Sequence, residues 1–294
     1  MSFRSLLQAW LTNAAKAKMR EAAVQTSGRQ LAQTTSGPTA AEELKPCDVG
    51  MVFALGIESG CLEDRLEGCV TIRGHDFVAR EGGLKGRRIV LALAGAGRRR
   101  AAHATEILID GHRPKWVISA GFAGGLSPQL KRHDILMPNQ LLLAAGGELP
   151  IEWPAGLAAI AQRPEVQVGR LLTADQLVRT PREKRMLGER HGAMAVDMET
   201  FAVAGACRRR QVSFAAVRVI HDTVDEVLPD DVEHLLGQKT HAARLGAALG
   251  TILRRPGSVK DMYQLRENAL VASDRLAKFL VEVVGTLYAT GGMN

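Results

Sequence analysis

Short apolar runs that end in glycine, proline or a polar turn recur along this chain, and they limit its fold more than any other feature. Val49–Ala54, Arg88–Ala94, Lys115–Gly121, His133–Pro138, Val166–Thr173 and Phe214–Ile220 have the length and apolar character of buried strands. Segments with helical character lie between several of them: one from Arg98 to Asp110, one around Leu157–Gln162, a short one over Pro181–Glu189 begun by its proline, and an Ala-rich one over residues 200–210. Buried strands alternating with helices describe an α/β protein. The composition agrees, with thirty glycines, 46% hydrophobic residues and only 4% aromatics, a core of Ala, Val, Leu and Ile around many tight turns. At 294 residues the chain has room for one medium domain with extensions or two small domains.

Several function classes drop out. Cys47, Cys61, Cys69 and Cys207 form no CxxC pair and no ligand-like spacing with the eight histidines, so no metal site is expected and a reduced, cytoplasmic compartment fits. No apolar run is long enough to span a membrane. The net charge of +7 comes from scattered Lys and Arg with few aromatics to stack on bases, which argues against nucleic acid as a partner. Residues 1–22 read as a basic amphipathic helix carrying Phe3, Leu6, Leu7, Trp10 and Leu11. Peripheral membrane contact, partner docking, packing on its own domain and a mis-assigned start all remain open for it. Residues 23–47 read as a polar linker, and residues 231–253 and 260–288 as two final helices.

Charged residues gather at element ends. Glu58 stands just beyond the first strand, where a carboxylate also suits a helix N-terminus. Gly95-Ala96-Gly97-Arg98 follows the second run and opens a helix; this turn suits an anion such as phosphate and equally a tight turn with solvated arginines. Ala195-Val196-Asp197-Met198-Glu199-Thr200 opens an apolar helix, and the last strand ends on His221-Asp222. The glycines of Phe122-Ala123-Gly124-Gly125-Leu126 imply a close approach of backbone to a ligand or to a neighbouring strand.

Ser119–Leu126, Ala195–Thr200 and Val217–Asp225, in this order and spacing, resemble the nucleoside phosphorylase/nucleosidase superfamily, closest in pattern to the 5'-methylthioadenosine/S-adenosylhomocysteine nucleosidases, over residues 49 to about 255. The resemblance implies a three-layer α/β/α nucleoside phosphorylase-like fold with a central mixed, partly barrel-like sheet. It places a catalytic domain over 49–255, which the residue pattern flanks with an N-terminal helix and linker over 1–48 and a helical extension over 256–294 packed on that domain or on a partner subunit. The implied activity is cleavage of a purine nucleoside's N-glycosidic bond through an oxocarbenium-like transition state. Asp222 matches the acid that assists departure of the purine through N7, and burial is expected to keep its proton. Glu58 matches the base that activates water. Met198 and Glu199 match the residues that hold the ribose, while the backbone around Leu177 and Val178 lines the base pocket. Arg218 is expected to stand behind the site and Asp197 to be structural.

Four departures from the nucleosidase pattern matter. His221 stands where Ser is usual, Leu177 where an aromatic residue commonly packs on the purine, Ala94 where a polar residue lies near the nucleophile position, and Arg98–Arg100 occupy the turn at which phosphorylases gather phosphate. The leading expectation is hydrolytic release of adenine from a 5'-substituted adenosine, with no cofactor and no metal, in a homo-oligomer with a dimer favoured. The alternatives are phosphorolysis, with Gly95, Gly97 and Arg98 holding inorganic phosphate as co-substrate, including a hopanoid-associated type; and a non-catalytic nucleoside-binding module.

Overall fold

The computed structural model describes residues 46–74, 77–228 and 258–289, except the side chains of 258–266 and of Ala289. The expected N-terminal helix, most of the linker and the helix over 231–253 lie outside the described residues. Strands β1 (Val49–Phe53), β2 (Glu67–Arg73), β3 (Val78–Leu84), β4 (Arg87–Leu93), β5 (Trp116–Gly125), β6 (Ile135–Leu143), β7 (Glu148–Pro150), β8 (Val166–Thr173), β9 (Ala195–Asp197) and β10 (Ser213–Asp222) form one mixed sheet. Helices α1 (Gly56–Glu63), α2 (Arg98–His112), α3 (Ala155–Ala161), α4 (Pro181–His191), α5 (Thr200–Arg209) and α6 (Ser258–Ala289) surround it.

The layering follows from side-chain alternation along strands buried on both faces. In β1, Val49, Met51 and Phe53 join the core cluster that also holds Leu62 of α1, Leu157 of α3 and Leu276, Leu280 and Val283 of α6. Val52 turns to the opposite face, with Leu108 of α2 and Val203 and Cys207 of α5. Gly50 lets Leu108 come close, since a Cβ there would stand 2.7 Å from its Cδ2. The result is the three-layer α/β/α arrangement that the sequence pattern and the resemblance lead one to expect.

The long strand β5 organises the sheet. On one edge it pairs in parallel with β10 along nearly its whole length, from Trp116 to Gly124. On the other edge β1 accompanies it only from Trp116 to Ser119, and β9 takes over antiparallel at Gly124 and Gly125. From β9 the pairing runs through β8 and β6 back to β10, so five strands close a barrel and β1, β4, β3 and β2 extend from it. Between the end of β1 and the start of β9, one edge of β5 has no strand neighbour among the described residues, a gap of the kind in which α/β sheets build sites.

Three local expectations change. The run Phe122–Gly125 is strand, because β10 and β9 use its backbone. Strand β6 continues past Pro138 to Leu143, with an irregularity between Pro138 and Gln140 that accommodates the missing amide. Ala195–Asp197 is a short strand, so α5 starts at Thr200 with Glu199 as the residue before it.

Candidate active site

Glu58 fills the gap beside β5. It lies in the first turn of α1, where its Oε2 accepts the Leu55 amide at 2.8 Å and its Oε1 accepts the Phe122 amide of β5 at 2.8 Å. A Cβ at Gly121 would stand 2.6 Å from Oε1, so the carboxylate reaches the strand only because that residue is glycine. Burial pushes the Glu58 carboxyl above its ordinary range, against the pull of the Phe122 amide, Arg218 and the Leu55 amide. Glu58 is thus at once a first-turn carboxylate of its helix and an acceptor on β5.

Glu199 approaches from β9. Its Oε1 accepts the Gly97 amide at 2.7 Å, which ties it to the turn Gly95–Gly97 at the start of α2. Both glycines hold positive φ, 80° and 101°, the left-handed half of the map where side chains are strained. Burial, then the negative charge of Asp197, push the Glu199 carboxyl up to about 8, with the Glu58 charge adding to the rise and the Gly97 amide and Arg218 opposing it. Met198 beside it is half-buried. Arg98 grips Asp175 in a two-pronged ion pair of 2.6 and 2.8 Å, spanning from α2 to the loop after β8.

Beneath these residues lies a buried polar network. Arg218 Nη2 donates to Asp197 Oδ2 at 2.8 Å, to Ser119 Oγ at 2.9 Å and to Thr200 Oγ1 at 2.6 Å. Asp197 also accepts the Thr173 hydroxyl at 2.7 Å and the Thr200 amide at 2.9 Å. Arg218 thus stands behind the site and Asp197 anchors the start of α5, both fully engaged below Glu58 and Glu199.

Asp222 closes the far end. It is buried at the terminus of β10, and a Cβ at Gly124 would stand 3.2 Å from its Oδ2. The preceding His221 stacks on Phe122 with ring centroids 5.3 Å apart and 23° between planes, and its backbone carbonyl accepts Arg132 at 2.6 Å. Burial was anticipated for Asp222 but not a cation against it: Lys184 Nζ lies 2.6 Å from Oδ2. Nothing in the run Arg182-Glu183-Lys184-Arg185 marks this lysine out as buried, although Lys184, Leu187 and Gly188 share one helical face.

The loop between β8 and α4 carries the other two expected residues. Val178 packs with the cluster that holds Leu126, Leu172 and Val196. Leu177 is half-buried outside the core clusters. Helix α4 is fixed by a capping box, in which Glu183 donates its amide to Thr180 Oγ1 at 3.3 Å and accepts the Thr180 amide at 3.0 Å.

The C-terminal half of β5 is therefore a shared floor. Glu58 meets it at Gly121 and Phe122, His221 stacks on Phe122, and Asp222 meets it at Gly124. Roughly 10 Å of strand separates the two carboxylate positions, at about 3.3 Å per residue.

Comparisons with known proteins place the fold in a family. The phosphorylase superfamily profile matches residues 49–255. The 5'-methylthioadenosine/S-adenosylhomocysteine nucleosidase of Tolumonas auensis is 29% identical over 213 residues, 64% of this chain and 91% of that protein. The nucleosidase of the same name from Shewanella sediminis is 28% identical over 221 residues, 67% of this chain and 95% of that protein. Among solved structures, the Neisseria meningitidis nucleosidase in complex with methylthio-immucillin-A aligns with a TM-score of 0.62 and 23% identity, covering 81% of this chain and 98% of the other. The futalosine hydrolase of Helicobacter pylori strain 26695 aligns with a TM-score of 0.62 and 18% identity, covering 83% of this chain and 98% of the other. The family profile spans most of the chain, and the fold agrees with it: this chain belongs to the phosphorylase superfamily.

Proposed function

We propose that the chain hydrolyses the N-glycosidic bond of a purine nucleoside, releasing adenine from a substrate of the 5'-methylthioadenosine/S-adenosylhomocysteine type. The observation that carries this reading is that Glu58 and Asp222 both reach the C-terminal half of β5, with Glu199 near enough to Glu58 to feel its charge. Asp222 gives its proton to N7 of the base as the C1'–N9 bond breaks, and the bonding electron pair leaves with the purine. Glu58 takes a proton from the attacking water, whose oxygen bonds to C1'. Glu199 and Met198 hold the ribose, and hydrogen bonds from the sugar hydroxyls to Glu199 strengthen as positive charge develops on the ring. His221 and Leu177 border the base. No cofactor or metal takes part in these steps, and the working form is a homo-oligomer, with a dimer favoured.

The amides support the division of roles. Both oxygens of Glu58 already accept backbone hydrogen bonds, which fixes the carboxylate that must orient water. The test is chromatography of the products from a panel of purine nucleosides, with and without phosphate. Free adenine and free sugar, formed without phosphate, are expected; no base release from any of the panel would overturn the reading.

One observation favours phosphorolysis as a second reading. The Arg100 side chain lies over the turn at Gly95, its Cδ 3.2 Å from where a Cβ would be, which brings a cation to the start of α2. Against it, the Gly97 amide is engaged by Glu199 and Arg98 by Asp175. Phosphate-stimulated turnover that disappears in Arg98→Ala would favour this reading over hydrolysis.

A further inference from the structure

Lys184 has a connection pattern that loop packing alone does not require. Its side chain is completely buried, and its ammonium donates to the carbonyls of Thr223 at 2.8 Å and Glu226 at 2.7 Å. An ammonium has three N–H groups, and those two bonds would suffice to fasten the loop after β10. Yet it also lies 2.6 Å from Asp222 Oδ2, an oxygen that is buried and without an aligned hydrogen bond. Asp222 Oδ1 stands 3.7 Å from His221 Nδ1, outside hydrogen-bond distance. One oxygen of the carboxyl is therefore held against a cation, and the other is left for the base.

We propose that Lys184 is a positioning residue for the leaving-group acid, its ammonium receiving the negative charge that Asp222 acquires when its proton passes to the purine. The inference rests on the general-acid role given to Asp222 above. An acid in a buried site becomes an anion at the moment it acts, and a buried anion is costly unless a fixed counter-charge awaits it. Lys184 supplies that charge and stays an ammonium throughout, so protons and electrons balance as in the hydrolytic step.

The other charged groups around this pair are committed elsewhere. Glu226 Oε2 accepts the Thr223 amide at 3.0 Å and Arg132 at 2.6 Å, and Asp225 pairs with Arg185 on the exposed side of α4. From β5 the glycine Gly124, which carries no charge, faces Asp222. Among the described residues His221 also lies beside Oδ1. Helix α4 holds Lys184 in place through its capping box and through Gly188, whose close fit to the Leu126 carbonyl leaves no room for a Cβ.

The test uses the full chain with Lys184→Met, which keeps the length, and Lys184→Gln, which keeps donors for the two carbonyls; thermal melts establish that each is folded. Two substrates are compared: 5'-methylthioadenosine, whose base needs a proton to leave, and a 4-nitrophenyl 5-methylthioriboside, whose nitrophenolate leaves without one. Adenine release should fall about a hundred-fold in kcat with KM little changed. Nitrophenolate release should change by less than about three-fold, since no proton transfer is needed. Equal losses on both substrates, or wild-type adenine release by a folded neutral variant, would overturn the proposal. Failure of the unsubstituted chain to release adenine at all would instead remove the catalytic reading itself.

Discussion

Gly121 and Glu58 are in such close contact that a single methyl group on the glycine would fall 2.6 Å from Oε1 and 3.0 Å from Cδ of the carboxylate. The contact exists because Glu58 takes the Phe122 amide on the edge of β5 that β1 has left and β9 has not yet reached. Gly121→Ala should therefore push the carboxylate off that amide. A displacement of about 1 Å at a catalytic group costs on the order of a hundred-fold in kcat, while crowding of this kind costs about 1–3 kcal/mol of stability. Steady-state kinetics together with a denaturant titration separate the two effects; wild-type kcat would show that Glu58 works from elsewhere.

The Arg218–Asp197 pair is a buried ion pair joined to Ser119 and Thr200. Removing one partner leaves the other charge unpaired, so Arg218→Met should destabilise the chain by about 3–5 kcal/mol, whereas replacing both residues by apolar ones should cost much less than the sum of the single changes. A double-mutant cycle by urea unfolding measures this. Strict additivity would mean that the pair is not coupled.

Glu199 links stability to pH. Its carboxyl is raised from 4.5 to about 8 in the folded chain, first by burial and then by the charge of Asp197. The folded state thus holds a proton that the unfolded state releases near 4.5, and stability from this group is present below that pH and lost as pH rises toward about 8. Glu199→Gln should flatten that part of the stability curve, seen as Tm values that differ least from wild type at pH 4.5 and exceed it most above pH 8. A parallel pH dependence in both proteins would assign the titration to another group.

The strands were legible because their apolar runs are local, and a buried strand needs little context to be recognised. Phe122–Gly125 was harder. Glycine-rich sequence reads as a turn or a close approach, and only pairing with β10 and β9, set far along the chain, makes it strand. Pro138 misled in the opposite direction, because a sheet irregularity absorbs a proline that would otherwise end a strand.

For the candidate site, the element ends that carry Glu58, Glu199 and Asp222 stood out in the sequence, and the resemblance joined them to one chemistry. Lys184 did not stand out. It sits in a polar helix that looks solvated, and its partners Asp222, Thr223 and Glu226 lie almost forty residues away or more. Local sequence carries no sign of such a contact. The engagement of Gly97 by Glu199 is of the same kind, a long-range hydrogen bond that changes what a glycine turn has left to offer an anion.

The central claim is that Asp222 and Glu58 do different jobs on one glycosidic bond, and the most direct measurement is adenine release from 5'-methylthioadenosine by Asp222→Asn and Glu58→Gln, each paired with equilibrium binding of the same nucleoside. Both variants should lose at least about a hundred-fold in turnover, and Glu58→Gln should still bind the substrate. Turnover near the wild-type rate in either variant would contradict the account.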